Sequence, residues 1–421
     1  MKIYSDHREP LGKDVTGLKI GGVDIDSIVQ SALKFPRLIL SFLRIRKIWT
    51  IPKKCDVLIF NSMDNNPIEL GLSEILSSYG NIGRFILPNS GELNVPILLA
   101  SILKRGSRIS AYFDSYIQRV DPKLVINYLD NDSGFYSVAP RNPSVKTMFI
   151  QNGLRDNKAF KNLQMQSSKE VLKVNFMLVF GSHVGDEYAK YISGLIVPIG
   201  SIRNNISPRV NQKLKGTLSF ISQYRDTESM KIDGVVYTRR FAPMILPFLA
   251  RYAKDKGLKL RIILTGHNRG PSTLRNEKRY YKEILGTECE FFKWKWHGSG
   301  YDAVDSSEVV VSNDSSLGIE AIARGTKAAI FSFRSTLYGL KPPSNNYGWP
   351  GNYPDEGPFW TNNPSTLSFR RILDHLFTIS DEQWRNEVER HGFKEVMQFD
   401  PNNSKLRTIL AGELGHKHAS K

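Results

Sequence analysis

Short apolar runs alternate with amphipathic segments along most of the chain. Asp56-Val57-Leu58-Ile59-Phe60 is a β-rich run that stops at Asn61-Ser62, and a helical pattern runs from Ile68 to Ser78 before Gly80. Arg84–Leu87 reads as the next strand. After the turn Pro88-Asn89-Ser90-Gly91 the pattern predicts a helix from about Glu92 to Lys104, with Pro96 in its first turns. Lys123–Tyr128, Thr147–Ile150 and Phe176–Phe180 are further strands. Short apolar strands between helices imply a parallel sheet covered on both faces.

The pattern breaks at residues 203–216, which are polar, basic and without period. It then restarts. Strands are predicted at Thr217–Ser222, Leu260–Thr265, Glu288–Trp294, Glu308–Ser312 and Ala328–Phe333, with helices between them at Phe241–Lys256, Leu274–Leu285 and Ser316–Arg324. Residues 338–364 are rich in Pro, Gly, Asn and aromatics, a length of loop that usually serves function. Residues 381–398 return to helix. The fold predicted is α/β, with two Rossmann-like doubly wound domains facing across a cleft. The divisions are a basic amphipathic segment over 1–54, a first domain over 55–205, a second over 206–380, and a C-terminal helical segment over 381–421 that packs back toward the first domain.

Composition narrows this picture. At 421 residues and 40% hydrophobic content the chain can build two cores. Two cysteines, Cys55 and Cys289, fall in different halves, which excludes a disulfide framework or thiolate metal site. Met1–Pro10 holds no apolar signal core, and no apolar run reaches the roughly 20 residues that span a bilayer. The expectation is a cytoplasmic protein. A net charge of +17 calls for a polyanionic neighbour. The charge is spread along the chain and no nucleic-acid-binding signature occurs, so nucleic acid is not expected as a partner. The stretch Phe35–Ile51 mixes Leu, Ile, Phe and Trp49 with Arg37, Arg44, Arg46 and Lys47. It reads either as a helix lying on an anionic membrane or as an ordinary packed surface helix.

Parallel sheets bind ligands beyond the carboxyl ends of their strands. Small polar residues directly after strands are therefore the candidates. Ser312-Asn313-Asp314-Ser315-Ser316-Leu317-Gly318-Ile319-Glu320-Ala321 is the fullest case. Ser315 or Ser316 can cap a helix, Gly318 can let a ligand approach, and Glu320 lies one turn on, where it can accept from sugar hydroxyls. Ordinary capping explains the same letters. Ser222, Tyr224 and Arg225 follow one strand, and His267 and Arg269 follow another; the arginines suit phosphate because guanidinium stays charged and can bind through two N–H groups. Trp294, Trp296 and Trp349 can stack on a base or sugar. No P-loop, Gly-X-Gly-X-X-Gly or metal-binding pattern occurs outside Asp130-Asn131-Asp132, so no metal or cofactor is expected.

The strand–Ser315-Ser316–helix–Glu320-Ala321–Gly325 series resembles the C-terminal domain of GT-B glycosyltransferases and the related Kdo and glycerophosphate transferases. Asn127–Asn131, Phe149–Arg155, Gly181-Ser182-His183 and Val197–Ser201 look like bacterial surface-polysaccharide biosynthesis proteins. The resemblance covers about residues 55 to 340 in blocks. It implies a transferase that moves a sugar or related unit from a nucleotide-sugar donor to a glycan or lipid-linked acceptor of a surface polysaccharide or lipopolysaccharide. It implies donor contacts from Ser222, Tyr224, Arg225, His267, Arg269, Asn313, Ser315, Ser316, Gly318 and Glu320. It also implies a base from the first domain, with Glu92, similar to the Ser-X-Gly-Glu turn of Kdo transferases, and Asp130, after a strand end, as candidates; His183 follows another strand end. The alternatives are a UDP-sugar 2-epimerase-like enzyme and an inactive GT-B-like subunit of an assembly complex.

Overall fold

The computed structural model describes residues 19–20, 23–24, 45–63, 66–87, 91–102, 108–155, 157–232, 235–238, 240–265, 270–286, 290–292, 299–333, 336 and 353–415. His267, Arg269, Trp294, Trp296, Trp349, Cys289 and the first ten residues of the 35–54 basic stretch lie outside the described residues.

Two six-stranded parallel sheets carry the fold. The first is built from β1 (Val57–Phe60), β2 (Ile82–Phe85), β3 (Leu124–Asn127), β4 (Lys146–Ile150), β5 (Lys173–Val179) and β6 (Ser193–Pro198), in the order β6-β5-β4-β3-β1-β2. The second comprises β7 (Leu214–Ile221), β8 (Lys259–Ile263), β9 (Glu290–Phe291), β10 (Ser307–Ser312), β11 (Lys327–Phe331) and β12 (Trp360–Thr361), in the order β9-β8-β7-β10-β11-β12. Every residue of β1, β3 and β11 is buried. Their largely apolar sequences follow from having helices on both faces. Each sheet is therefore doubly wound, and in each the order reverses once: between β1 and β3, and between β7 and β10.

Local chemistry sets the helix ends. Helix α1 (Pro67–Leu76) opens on Asn66, whose side chain accepts the Ile68 N–H, with Pro67 in its first turn. Helix α6 (Ala242–Lys256) ends on Gly257 at φ 64°, the left-handed conformation that glycine adopts without strain. The predicted helix from Glu92 instead begins with a strand. Glu92–Asn94 pairs in parallel with Arg46–Ile48, and helix α2 (Val95–Ile102) starts only afterwards. The Asn94 side chain accepts the Ile97 N–H at 3.1 Å, which fixes that start. Helix α3 (Arg108–Val120) follows, over a stretch to which the sequence pattern assigns no element.

Residues 381–398 are not one helix. α11 (Asp381–Arg390) has a Ser380–Gln383 capping box, Gly392 at φ 63° breaks the chain, and a short turn α12 (Phe393–Val396) follows. The chain then crosses to the first sheet: Gln398 N–H donates to Phe180 O, and α13 (Ser404–Leu414) buries Leu406 and Leu410 against Ile126, Tyr128 and Ile150. The junction between the sheets is polar and tight. Arg324 is buried, pairs with Asp305 and donates to the carbonyls of Asn204, Ser207 and Pro208. Gly181 sits so close to Glu395 O that a Cβ there would clash.

Candidate functional site

At the reversal of the second sheet, helices leave β7 and β10 toward opposite faces and open a crevice beyond the strand ends. Two turns meet there. Gln223 Oε1 accepts the Asp314 N–H at 3.2 Å, and Ser332 Oγ donates to Asp314 Oδ1 at 3.1 Å. A carboxylate from below holds the turns. Glu277, on α7 (Pro271–Leu285), accepts from Ser222 Oγ, from Thr265 N at 2.9 Å and from Thr265 Oγ1 at 3.2 Å. Tyr281 Oη donates to Ser222 Oγ at 2.8 Å. Glu277 is fully buried, and these donors replace the water that a buried carboxylate loses.

Asn313 stands at the centre of this crevice. It is 2% exposed, and neither its side-chain nitrogen nor its oxygen has a partner among the described residues. Buried amides of folded proteins are nearly always hydrogen-bonded. Asn313 lines a small cavity with Gln223, Tyr224, Arg240, Phe241 and Tyr280. The Arg240 guanidinium sits 5.1 and 5.0 Å from the ring centroids of Tyr224 and Tyr280 and pairs with Glu228 at 2.6 Å. Helix α9 (Ser316–Ala323) points its N-terminus at the same edge. Ser315 caps it, accepting the Leu317 N–H at 3.3 Å, and both Ser315 and Ser316 are half-buried.

Several residues predicted to face a donor point elsewhere. Ser222 is fully buried, and its hydroxyl is spent on Glu277 and Tyr281, so it braces the turn rather than facing the crevice. Gly318 is needed for packing: a Cβ would clash with Ser312 Cβ and Oγ, so the missing side chain lets α9 lie against β10 rather than admitting a ligand. Glu320 is 1% exposed and faces the junction, not an open mouth. Tyr301 Oη, from helix α8 (Ser299–Asp305), donates to it at 3.0 Å, and Arg203 of the first domain bonds Tyr301 and lies in the field of both. Burial first, and the Glu320 charge second, hold the Tyr301 hydroxyl well above the usual phenol range. Tyr224 is buried with its ring on Arg240, and Arg225 donates to the Tyr224 carbonyl at 3.2 Å.

In the first domain, Asp130 is a buried structural anion. Arg155 grips it through two nitrogens, Asn152 N–H donates at 2.9 Å, and Tyr188 Oη donates as well. Burial opposes the Arg155 charge, yet the neighbouring carboxylate raises its pKa on balance. A carboxylate so committed has no lone pair for an acceptor proton. Glu92 is half-buried and accepts from exposed Arg46 at 2.9 Å. His183 Nε2 bonds Glu395 at 2.9 Å across the junction. The residue missed is Asp132. It sits at the first sheet's own reversal, where Asn61, at φ 53°, donates to Asp132 Oδ2 at 3.1 Å. Burial raises the Asp132 pKa above the carboxylate norm; hydrogen bonds from Asn61 and Gly134 oppose it. Asp130, in the same Asp-Asn-Asp triplet, lies nearer the strand end, and register alone does not tell which of the two is committed to a buried ion pair.

Two buried glutamates were also missed. Glu69 accepts from Ser62 Oγ, Met63 N and Tyr128 Oη beneath the first crevice, as Glu277 does beneath the second. Both lie in helices whose charged letters look like solvated faces. Among the described residues no group of three His, Cys, Asp or Glu side chains is placed to hold a metal ion, and no helix is long and apolar enough to cross a membrane.

Two doubly wound parallel sheets, joined at a polar hinge and recrossed by the C-terminal helix, define a two-domain α/β protein of the GT-B arrangement. Residues 148–414 match the family described as "putative O-antigen biosynthesis protein", and the chain belongs to that family. Comparison with curated proteins gives no match. Among solved structures, a UDP-GlcNAc 2-epimerase from Neisseria meningitidis is 11% identical, with 85% of this chain and 99% of that chain covered at a TM-score of 0.49. The wall teichoic acid polymerase TagF is 10% identical, with 85% and 88% covered at 0.48. A sucrose-phosphate synthase from Thermosynechococcus elongatus is 12% identical, with 86% and 100% covered at 0.43. At these values the likeness assigns no activity.

Proposed function

We propose that the chain is a glycosyltransferase that moves a sugar, or a related unit, from a nucleotide-activated donor to a precursor of a cell-surface polysaccharide or lipopolysaccharide. Membership of an O-antigen biosynthesis family supplies the context. The observation that carries the reading is Asn313, a buried amide with both polar atoms unpartnered at the switch point of a doubly wound sheet, beside a helix N-terminus. That site offers a donor nucleotide the Asn313 amide, and offers its phosphates the helix N-terminus and the hydroxyls of Ser315 and Ser316.

In the proposed step, Asp132 takes the proton of the acceptor hydroxyl. The acceptor oxygen attacks the anomeric carbon, the bond from that carbon to the donor phosphate breaks, and the negative charge stays on the departing nucleotide. Glu92 is the second candidate base. Asp130 is removed from that role by its bonds to Arg155 and Tyr188. The step itself draws on no metal or cofactor.

The proposal places the protein at the inner face of the cell membrane. Trp49 and Ile51 are exposed among exposed Arg46, Lys53 and Lys54, and α2 exposes Leu99 and Ile102 nearby. Cations around exposed apolar groups suit an anionic lipid surface.

A screen of nucleotide sugars by thermal stabilisation, followed by incubation of any hit with and without a lipid-linked glycan acceptor, tests the reading. Stabilisation and acceptor-dependent release of nucleotide support it. Nucleotide release without acceptor points to the epimerase chemistry instead, and no stabilisation by any nucleotide overturns the donor site.

A further inference from the structure

A second cavity, of about 710 Å³, lies at the far end of α9 from the switch point. Its walls come from both interdomain crossings, Arg209–Lys213 on one side and Phe393–Phe399 on the other, with α11 closing it. That volume falls in the range of small-molecule sites. Five cations and three carboxylates line it. The carboxylates are all engaged: Asp305 by Arg324, Asp381 by Lys213 at 3.0 Å and Glu389 by Lys394 at 3.0 Å. Arg209 and Arg385 remain, and neither has an ion pair among the described residues.

Arg209 is set in place rather than free to wander. Its guanidinium lies 4.7 Å from the centroid of the Phe399 ring. Burial, and then the Arg324 charge beside it, lower its pKa, so the cation sits where positive charge is already in excess. Trp384 lines the same cavity, is 1% exposed, and has an indole N–H with no acceptor among the described residues. Two unpaired guanidiniums and an unused N–H call for oxygen acceptors bearing negative charge. The aromatic and apolar walls, Trp384, Phe393 and Phe399, call for a flat or apolar body attached to them.

We propose that this hinge cavity is a second ligand site, separate from the donor crevice, that binds a phosphate monoester carried on an aromatic or apolar group. The phosphate meets Arg209 and Arg385, and the organic body lies against Trp384 and Phe399.

Phenyl phosphate and inorganic phosphate are the probes, titrated calorimetrically into the full chain at low salt. Phenyl phosphate is expected to bind at least tenfold more tightly than inorganic phosphate. The Arg209→Ala/Arg385→Ala double variant, which breaks no ion pair among the described residues, is expected to fold normally and to lose binding of both probes at least tenfold. Asn313→Ala is expected to leave phenyl phosphate affinity unchanged, which separates this cavity from the donor crevice. Failure of phenyl phosphate to bind, equal affinity for the two probes, or wild-type binding by the double variant overturns the proposal. So does loss of phenyl phosphate binding in Asn313→Ala, because the probe would then occupy the donor site.

Discussion

The Ser222 hydroxyl donates to the Glu277 carboxylate, and both groups are fully buried. The same carboxylate accepts from Thr265, so one side chain ties the ends of β7 and β8 together at the rim of the crevice. Replacing Glu277 by Ala takes the acceptor from the Ser222 O–H and from the Thr265 N–H, and the orphaned Thr265 N–H alone costs about 1–3 kcal/mol. The expected outcome is a lower denaturation midpoint with loss of nucleotide binding. An unchanged midpoint would show that the brace is dispensable.

Asp130 and Arg155 predict the opposite of a catalytic pair. Asp130→Asn leaves a buried guanidinium without its counter-charge, a change that costs about 3–5 kcal/mol. The double variant Asp130→Asn/Arg155→Met is expected to recover part of that stability. Chemical denaturation of the three proteins checks this, and a stable but inactive Asp130→Asn would restore Asp130 as a candidate base.

Asp132 gives a pH dependence with a definite sign. Its folded-state pKa is raised above the ordinary value of 3.8, with burial the main cause. The protonated form is thus favoured by folding, and the stability from this group is full below 3.8 and is lost as pH rises through the folded value. Activity runs the other way, because a base must be deprotonated. The acid limb of kcat/KM is expected above pH 3.8, and Asp132→Asn is expected to abolish that limb while lowering the rate about 10²- to 10⁴-fold. A limb that survives in the variant belongs to another group, with Glu92 the first to test.

The two sheets were readable because apolar runs such as Val57–Phe60, Leu124–Ile126 and Val309–Val311 stand out from the helices around them, and because residues 203–216 interrupt the pattern where the chain passes between the sheets. The site was legible only in part. Strand ends located the turns at Ser222–Arg225 and Asn313–Ser316, which the second sheet does bring together. Side-chain direction was not legible. Glu320 is one helical turn from the mouth, but the α9 face that carries it turns toward Tyr301 and the junction. Glu277 looked like one more charge in a Lys- and Arg-rich helix, and only the tertiary fold puts it under two strand ends. The strand at Glu92–Asn94 was missed because its partner, Arg46–Ile48, lies in the basic stretch that carries no β pattern of its own.

The membrane contact follows from Trp49 and Ile51, both exposed beside Lys53 and Lys54. Binding to vesicles containing anionic lipid is expected to weaken as salt rises, since screening shortens the reach of exposed charge to about 10 Å at 0.1 M. Trp49→Ala is expected to weaken binding further at every salt concentration. Equal binding to neutral and anionic vesicles, or no binding, removes the membrane from the proposal.

Asn313 and Glu320, seven residues apart, separate a ligand contact from a structural one. The Asn313 side chain makes no hydrogen bond within the described residues, so Asn313→Ala breaks none and should shift the melting temperature little. It should weaken nucleotide-sugar binding about tenfold, the worth of one or two hydrogen bonds at about 0.5–1.5 kcal/mol each. Glu320→Ala should do the reverse at first sight. Tyr301 loses its acceptor and Arg203 loses a nearby counter-charge inside a buried junction, and the orphaned Tyr301 hydroxyl alone costs about 1–3 kcal/mol. Glu320→Gln keeps an acceptor for Tyr301 and should recover much of the loss. Melting temperature and nucleotide affinity measured on the same three samples decide the matter. Nucleotide affinity that survives Asn313→Ala but falls in Glu320→Gln at unchanged stability would move the donor contact from Asn313 to Glu320 and would mean that the junction opens to admit it.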